Sequence, residues 1–553
     1  MRLHSRNATT ANSRDGYVIF AVLLVVVVLS LVAYRFTESM TAEYRASTRA
    51  NDDAQAKLAA VSGLHYAAAV LSDRATFYGE LEGNPFDNTD IFERVELPAA
   101  GGTARKKGLF DIRSVALTED GSYEQRFGVI DEGGKLNINS MIALDPTGEI
   151  LYATLMKLPN MTSEVADAIV DWVDGDDVAR ATGAESSEYS SLPNPYKAKN
   201  GPLNSLDELL LVKGVFPEML YGGDRNRNGV FDEGENDADR GWSDYLTVYG
   251  RELNVDMGGT VRTYLNGDSL PTIAQQLGPQ IGDELTTYIL AAKLFNVTTT
   301  DASGNLPGTT ATGTMTTGNG GAIAITFSIP QAQKPVTPAS PDQLKAAVDA
   351  KMATTFTGGK RLRSLGDLVY SRITLPRASG TPQDAPDVVA FSPLLNPATR
   401  SALLGTLMDK TTVKQAVELV PRINVNTAPR EVLVTLTGIV NSRSEPIITE
   451  ADVDAIIAAR PDQAPNDPAT VSGAWVISAA GIQPAVFKRV EKYITGSTMV
   501  YRVQSIGYFA EGGPVARMEA VIDTNQGAPR FLHVRDLSDL ENPRGFEPIK
   551  VNP

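Results

Sequence analysis

The sequence predicts an α+β protein: a long N-terminal helix, apolar enough at its start to cross a membrane, packs on an antiparallel sheet interrupted by inserted helical modules. Three observations carry this. Residues 17–34, YVIFAVLLVVVVLSLVAY, run without a charge, and residues 35–72 continue with no proline and a single glycine. Segments rich in β-branched and aromatic residues stand near both ends of the body, GLFDIRSVAL and SYEQRFGVI within 108–130 and MVYRVQSIGY and VARMEAVID within 499–523. Between them the phrase Asn-x-Asn occurs twice, each time ahead of a helical pattern.

The N-terminal element is read first. Residues 1–16 are polar and carry Arg2, Arg6 and Arg14. At about 1.5 Å per residue the apolar run spans most of a roughly 30 Å hydrocarbon core. It is longer than the apolar region of a secretory signal, and no small-x-small cleavage site follows it directly. The basic residues ahead of the span place the N-terminus in the cytoplasm and the bulk of the chain beyond the membrane. Leu58, Val61, Leu64, Ala68 and Leu71 recur at helical spacing and predict an amphipathic continuation of the span. A basic leader, a glycine and an apolar stretch that runs into a long amphipathic helix resemble type IV pilin-like proteins. The resemblance implies a leader that ends at Gly16, with Tyr17 as the first residue after cleavage by a prepilin peptidase. Most such proteins carry a glutamate five residues into the mature chain, where this sequence has Ala21.

In the body, Met518, Ala520 and Ile522 alternate with Arg517, Glu519 and Asp523, the pattern of a half-buried strand. Lys135-Leu-Asn137-Ile-Asn139 and Arg422-Ile-Asn424-Val-Asn426 each open a unit of helix, turn, helix, link, helix, Gly-apolar turn and helix. Leu253-Asn254-Val255-Asp256 and Ser364-Leu365-Gly366-Asp367-Leu368 read as a degenerate third copy. Low-complexity sequence at 298–341, rich in Thr, Gly, Ala and Pro, interrupts that copy and is expected to be a mobile loop. The expected division is a leader at 1–16, a transmembrane segment at 17–34, a helix and first strands at 35–131, and a first module at 132–256. An enlarged insertion follows at 257–420, then a second module at 421–496, C-terminal strands at 497–525 and a tail at 526–553.

The phrases DEGGKLNINSM, AIVDWVDGDD, Gly183-Ala184-Glu185 to Tyr189, PNPYKAKNGPLNSLDELLLVKG and INVNTAPREVL resemble the general secretion pathway protein K family, the K-type minor pseudopilins of type II secretion systems. The resemblance covers about residues 14–256 and 420–523, and the enlarged insertion and the tail depart from it. It implies a pseudopilin fold with SAM-like, helix-hairpin-helix-like modules inserted in its sheet. It also implies a single-pass protein of the inner membrane with its bulk in the periplasm, placed at the tip of the pseudopilus. There it would help initiate pseudopilus assembly and exoprotein secretion, with other minor pseudopilins, the inner-membrane platform and the prepilin peptidase as partners. Lack of the glutamate marks the K-type subunit. In that family the carboxylate pairs with a neighbouring N-terminal amine, and a terminal subunit has no neighbour above it. The alternative is a minor pilin-like protein of a type IV pilus or competence system.

Two function classes are disfavoured. The hairpin turns at Thr437-Gly438-Ile439-Val440-Asn441, Lys213-Gly214-Val215-Phe216 and Ala480-Gly481-Ile482-Gln483 lack the second glycine that lets a nucleic-acid-binding hairpin approach a phosphate. With a formal net charge of −16, no nucleic-acid partner is expected. No cysteine is present, and the three histidines, His4, His65 and His533, are far apart in sequence. No Gly-x-Ser-x-Gly, Walker loop or His-Glu-x-x-His pattern occurs, so the chain is not read as an enzyme.

Two acidic segments have metal-binding spacing. Residues 224–235, DRNRNGVFDEGE, fit a calcium loop. Asp224, Asn226 and Asn228 would offer side-chain oxygens and Val230 its carbonyl, with Asp232 acting directly or through water and Glu235 closing the site in bidentate fashion. The residues that follow make a poor exit helix, so a structural calcium loop is expected instead of a full EF-hand. The second segment groups Asp171, Asp174, Asp176 and Asp177, with Glu185 further on, at the C-terminal end of a helix. Negative charge there opposes the helix dipole, and either a bound cation or plain solvation would relieve it.

Overall fold

The computed structural model describes residues 14–98, 107–117, 123–224, 227, 240–306, 309–316, 322–329, 335–355, 358–377, 379–461, 467–525 and 527–540. Helix α1 spans Arg14–Ser72 without a break, 59 residues. Among the described residues it is the helix long and apolar enough to cross a membrane. Gly16 and Tyr17 lie in its first turn. Its apolar start is exposed, and a buried face begins only at Ala56. That face holds Leu64, Ala68 and Leu71 of the expected stripe but not Leu58. Leu58 is 65% exposed, while Ala56, Ala59, Ala60, Ala67 and Ala68 are buried beside Leu64 and Leu71.

The reason lies in the sheet beneath. Seven antiparallel strands form it: β1 (Val95–Glu96), β2 (Gly108–Leu117), β3 (Tyr123–Arg126), β4 (Ile130–Asp131), β5 (Val500–Phe509), β6 (Ala516–Asp523) and β7 (Arg530–Asp536). The main order is β1-β2-β5-β6-β7, with β3 on β2 and β4 on the start of β5. Helix α1 crosses β2, β5 and β6. At the crossing, backbone meets backbone: a Cβ on Gly507 would collide with the Ala56 carbonyl and the Ala60 amide. A Cβ on Gly63 would strike Ser505 and Phe110. Small residues are required on both sides, so leucine is excluded from the line of contact and Leu58 points outward.

Strand β7 lies in the segment set aside as a tail. Its Phe531 meets His65 of α1 edge-on, with ring centroids 5.0 Å apart, and Asp536 accepts a 2.9 Å bond from Lys57. The low-complexity stretch also differs from expectation, since residues 309–316 and 322–329 pair as antiparallel strands. Their Thr- and Ile-rich composition suits strands, and the pairing satisfies their backbone groups.

Residues 132–499 leave the sheet at the end of β4 and return at the start of β5. Within them, two-residue parallel pairs close three helical units: 136–137 with 246–247, 263–264 with 411–412, and 423–424 with 494–495. One asparagine stands two residues after each opening strand. Asn139 bonds the Leu203 backbone through its amide oxygen (2.8 Å) and nitrogen (2.9 Å), and donates to the Val248 carbonyl at 3.1 Å. Asn266 does the same with the Leu362 amide (2.8 Å) and carbonyl (2.9 Å), and reaches the Val413 carbonyl at 3.5 Å. Asn426 donates to the Thr470 and Gly496 carbonyls (3.0 and 2.5 Å) and accepts from the Trp475 indole at 2.8 Å. The third copy therefore opens at Thr263 with Asn266, and not at Leu253. Asn254 belongs to a separate pairing of 252–253 with 418–419. The expected Ser364–Leu368 segment is a 3-10 turn, like Leu206–Leu211 of the first unit.

A buried polar group joins these units to the sheet. Asp131, the last residue of β4, accepts from Asn424 and Thr427 at 2.7 Å each, from the Gly133 amide at 2.8 Å, and from Thr498. Glu132 beside it accepts from Arg502 of β5 at 2.7 Å and from Thr247, and Lys135 stands 3.7 Å away. Arg502 bonds Glu519 of β6 at 2.8 Å. Burial alone would raise the Glu132 carboxyl, but the Arg502 and Lys135 charges bring it down to about 2, so it stays ionised.

Two stability measurements test this frame. Gly507→Val should lower stability by about 1–3 kcal/mol or more through overpacking, whereas Gly79→Ala, whose Cβ meets nothing within 4 Å, should be neutral or slightly stabilising in the same denaturant titration. Glu132→Ala leaves Arg502 without half of its buried charge and should cost roughly 3–5 kcal/mol.

Candidate metal centre

Helix α2, Ser163–Val173, starts with Thr162 accepting from the Val165 amide and is buried from Val165 to its end. It terminates at Asp174, where the backbone turns extended. The turn 174–177 follows, and the chain then folds back over the helix end. Arg180 fixes the return: its amide donates to both Asp171 oxygens at 3.1 Å, and its Nε donates to Asp167 at 2.8 Å. The Thr182 amide and hydroxyl also bond Asp167, at 3.1 and 2.7 Å. This return brings Glu185 beside Asp174, while Trp172, Tyr189 and Tyr196 pack together beneath, Trp172 edge-on to Tyr189 at 5.1 Å.

Oxygens of Asp174, Asp176 and Glu185 lie within 4.8 Å of one another. Asp174 is 8% and Glu185 2% exposed. Asp174 Oδ1 and both Glu185 oxygens are buried with no hydrogen-bond donor. A buried carboxylate oxygen without a donor is costly. A separation of 4.8 Å is about twice the oxygen distance of a bound calcium ion, so one hard cation would fit among all three ligands.

The charges register this crowding. Burial, with Asp176 and Asp171 adding repulsion, pushes Asp174 up to about 6. Burial, then Asp171, Asp174 and Asp177, pushes Glu185 up to about 7. Burial raises Asp171 as well. Of the five acidic residues the sequence groups, three converge. Asp171 positions the return loop, and Asp177 is held low by Ser186 and by Asn200. Asn200 is a participant that spacing did not reveal. Its amide donates to the Asp176 carbonyl at 2.6 Å from a left-handed backbone (φ 47°). Asparagine tolerates that conformation, but the sequence does not say that residue 200 returns to the 174–177 turn.

In the acidic segment at 224–235, Asn226, Asn228, Val230, Asp232 and Glu235 lie outside the described residues. Asp224 is buried, with its charge facing Arg517, and the Arg227 guanidinium covers the Tyr221 ring at 3.8 Å. Tyr221 donates to Asp207 at 2.5 Å, and Asp207 accepts from Arg535 of β7 at 2.7 Å. The start of this segment is therefore fixed against the sheet.

A pH series checks the raised carboxyls. In the presence of chelator, Asp174 and Glu185 contribute stability fully below the unfolded carboxyl range, near 4, and lose it as pH rises through 6 to 7. The melting temperature of the wild type should therefore fall over this window relative to Asp174→Asn with Glu185→Gln. Glu491, also pushed up to about 7 by burial, adds a slope of the same sign to both proteins and cancels in the difference.

Residues 134–221, which contain the acidic cluster, match the family model of type II secretion system protein K. A curated relative, the type II secretion system protein K of Pectobacterium carotovorum subsp. carotovorum, is 32% identical over 70 residues, 13% of this chain. The aligned region spans about a fifth (21%) of that relative's length. A chain of the GspK–GspI–GspJ complex from the enterotoxigenic Escherichia coli type 2 secretion system aligns with 89% of this chain and 99% of its own, at 11% identity and a TM-score of 0.33, too low to bear on the fold. The match falls on the unit opened by Asn137 and Asn139 and carrying the acidic turn, and over these residues the chain is similar to type II secretion system protein K.

Proposed function

We propose that this protein is a minor pseudopilin of a type II secretion system, held in the inner membrane by α1 with its bulk in the periplasm. The observation that carries the reading is the continuity of α1. Its apolar start is exposed along residues 17–34, and the same helix ends packed on the antiparallel sheet that holds the family's module. In this role a prepilin peptidase removes the leader after Gly16, and the apolar part of α1 passes from lipid into the pseudopilus. With Ala21 in place of the usual glutamate, the subunit sits at the tip and joins other minor pseudopilins to start assembly on the inner-membrane platform. The asparagine-clasped units are SAM-like modules that serve as structural and contact surfaces.

Calcium is the proposed ligand of Asp174, Asp176 and Glu185, and a second ion would occupy the loop 224–235. At the first site the ion would neutralise carboxyls that otherwise repel one another; at the second it would brace a segment rooted at Asp224.

Deletion of the gene should abolish secretion of folded exoproteins while general export continues, and capture of the tagged protein from solubilised membranes should recover other minor pseudopilins. Normal secretion with loss of DNA uptake would sink this reading in favour of a competence system. Calcium at a hundredfold excess over Kd should stabilise the folded protein by about 2.7 kcal/mol per site. Asp174→Asn with Glu185→Gln should remove that gain at the first site. A calorimetric titration at millimolar calcium that detects no binding would reject the metal proposal.

A further inference from the structure

Helix α3, Pro484–Val490, ends in Lys488 and Arg489 and is followed by Lys492. A groove of about 500 Å³ opens on one side of it, floored by Leu144, Leu365, Met408, Val413, Phe487 and Ile494. Its outer wall, through Arg363 to Lys414, belongs to the unit opened at Thr263, beyond the segment matched to the family. Six cationic side chains line this groove: Arg262, Arg363, Lys414, Arg422, Lys488 and Lys492. Three are engaged: Arg422 with Glu252 at 3.0 Å, Lys488 with Asp367 at 2.6 Å, and Arg262 with the Asp409 carbonyl at 3.0 Å. Arg363 and Lys414 are exposed and make no ion pair or side-chain hydrogen bond among the described residues, and Lys492 only overlies the Tyr493 ring at 4.6 Å. Of the two carboxylates in the lining, Glu418 faces Arg251 at 3.3 Å, and Glu491 accepts from Ser364 at 2.6 Å. Lys414 and Arg422 also face the Glu491 carboxyl, and with six cations to two carboxylates in its lining the groove keeps an excess of positive charge on a chain whose formal net charge is −16.

On the other side of α3 lies a second groove of about 490 Å³, with Ile150, Ala153, Ile439, Val440 and Ile447 along it. Val440 is 55% exposed. Lys488 and Lys492 border both grooves, so α3 forms a cationic ridge between two apolar floors. Each groove has the volume of a small-ligand site and would take a few side chains, not a folded domain. An acyl chain suits the first groove poorly, because it would lie against the Arg422–Glu252 pair and Glu491 without offering a polar group to either. A polypeptide brings both apolar side chains and hydrogen-bonding backbone.

We propose that the two grooves flanking α3 form one docking site for an acidic polypeptide segment. Its carboxylates rest on Lys492, Arg363 and Lys414, and its apolar side chains enter the floors on either side. The charges set the sign of the partner, and the paired floors require apolar residues on both sides of its acidic stretch.

The test uses the full-length protein in nanodiscs. Because the chain has no cysteine, Ala416→Cys at the groove wall takes an environment-sensitive dye at a single place. Random dodecapeptides are selected on this protein and then titrated against the dye. Selected peptides should be enriched in Asp and Glu with interspersed apolar residues, and should shift the dye. They should lose about tenfold or more in affinity against Arg363→Ala, Lys414→Ala and Lys492→Ala combined. These three side chains are exposed, and an unchanged melting curve confirms that the triple variant is folded; if it does not fold, the single Lys414→Ala and a salt titration of the wild type replace it. Peptides without acidic bias, or affinity indifferent to the substitutions and to salt, would overturn the proposal. So would water-soluble dihexanoyl phosphatidate shifting the dye with the same dependence while acidic peptides do not, which would assign the site to an anionic lipid.

Discussion

The architecture depends on two adjacent carboxylates, Asp131 and Glu132. They stand where the chain leaves the sheet for the long excursion that ends at Val500. Asp131 is tied to the unit opened at Ile423 through Asn424 and Thr427 and to the returning chain through Thr498. Glu132 is tied to the first unit through Thr247 and to the sheet through Arg502. An insertion of this length makes entry and exit a problem of chain entropy: both ends must be brought to one place before any later contact can form. In this buried setting, each lost bond strands a polar group, so the junction tolerates little deviation in where the units sit.

The repetition of one asparagine solves a smaller version of the same problem. Asn139, Asn266 and Asn426 each hold a returning backbone against the opening of their own unit, and each unit closes on a two-residue parallel pair. Such pairs are too short to show a period, and their partners are far apart in sequence. Asn-x-Asn was visible because side chains have names; the strands that close each unit were not. The degenerate copy was sought at Leu253–Asp256 because two apolar residues there flank an Asn and precede an Asp. Asn266 has no second asparagine to mark it, and its role follows only from the backbone it clamps. Strand β7 is hidden in the sequence for a related reason: a register shift opposite Val521 and Ile522 breaks its period, Phe531 packs on His65 while His533 and Arg535 face Tyr249 and Asp207, and Leu532 and Val534 are left half exposed.

At the candidate metal centre, residue type and helix position were legible, but assignment was not. Five carboxylates near one helix end announce an electrostatic problem. Which of them face one another depends on the return of residues 180–185, and this is fixed by Arg180 and Thr182 pairing with Asp167 and Asp171. Those partners are ordinary polar residues whose importance comes from geometry alone. The α1 face illustrates the opposite case. The helix was evident from its composition, and Leu64, Ala68 and Leu71 lie on its buried face as their spacing predicts, but Leu58 does not and the alanines between them carry the closest contact. The sheet accepts only small side chains at Gly63 and Gly507, and helix periodicity does not report what a distant glycine demands.

The uninterrupted course of α1 has a mechanical consequence. At about 1.5 Å per residue its 59 residues form a rod of roughly 90 Å. No proline or paired glycine offers a hinge between its apolar start and the sheet. Axial pull on the apolar end is therefore carried along the helix to the crossing at Gly507, where it becomes shear between two closely apposed backbones. Interlocked small residues resist sliding because any axial displacement drives a neighbouring Cβ into the glycine's place. The same contact that fixes the helix at rest thus acts as the detent of a lever under tension.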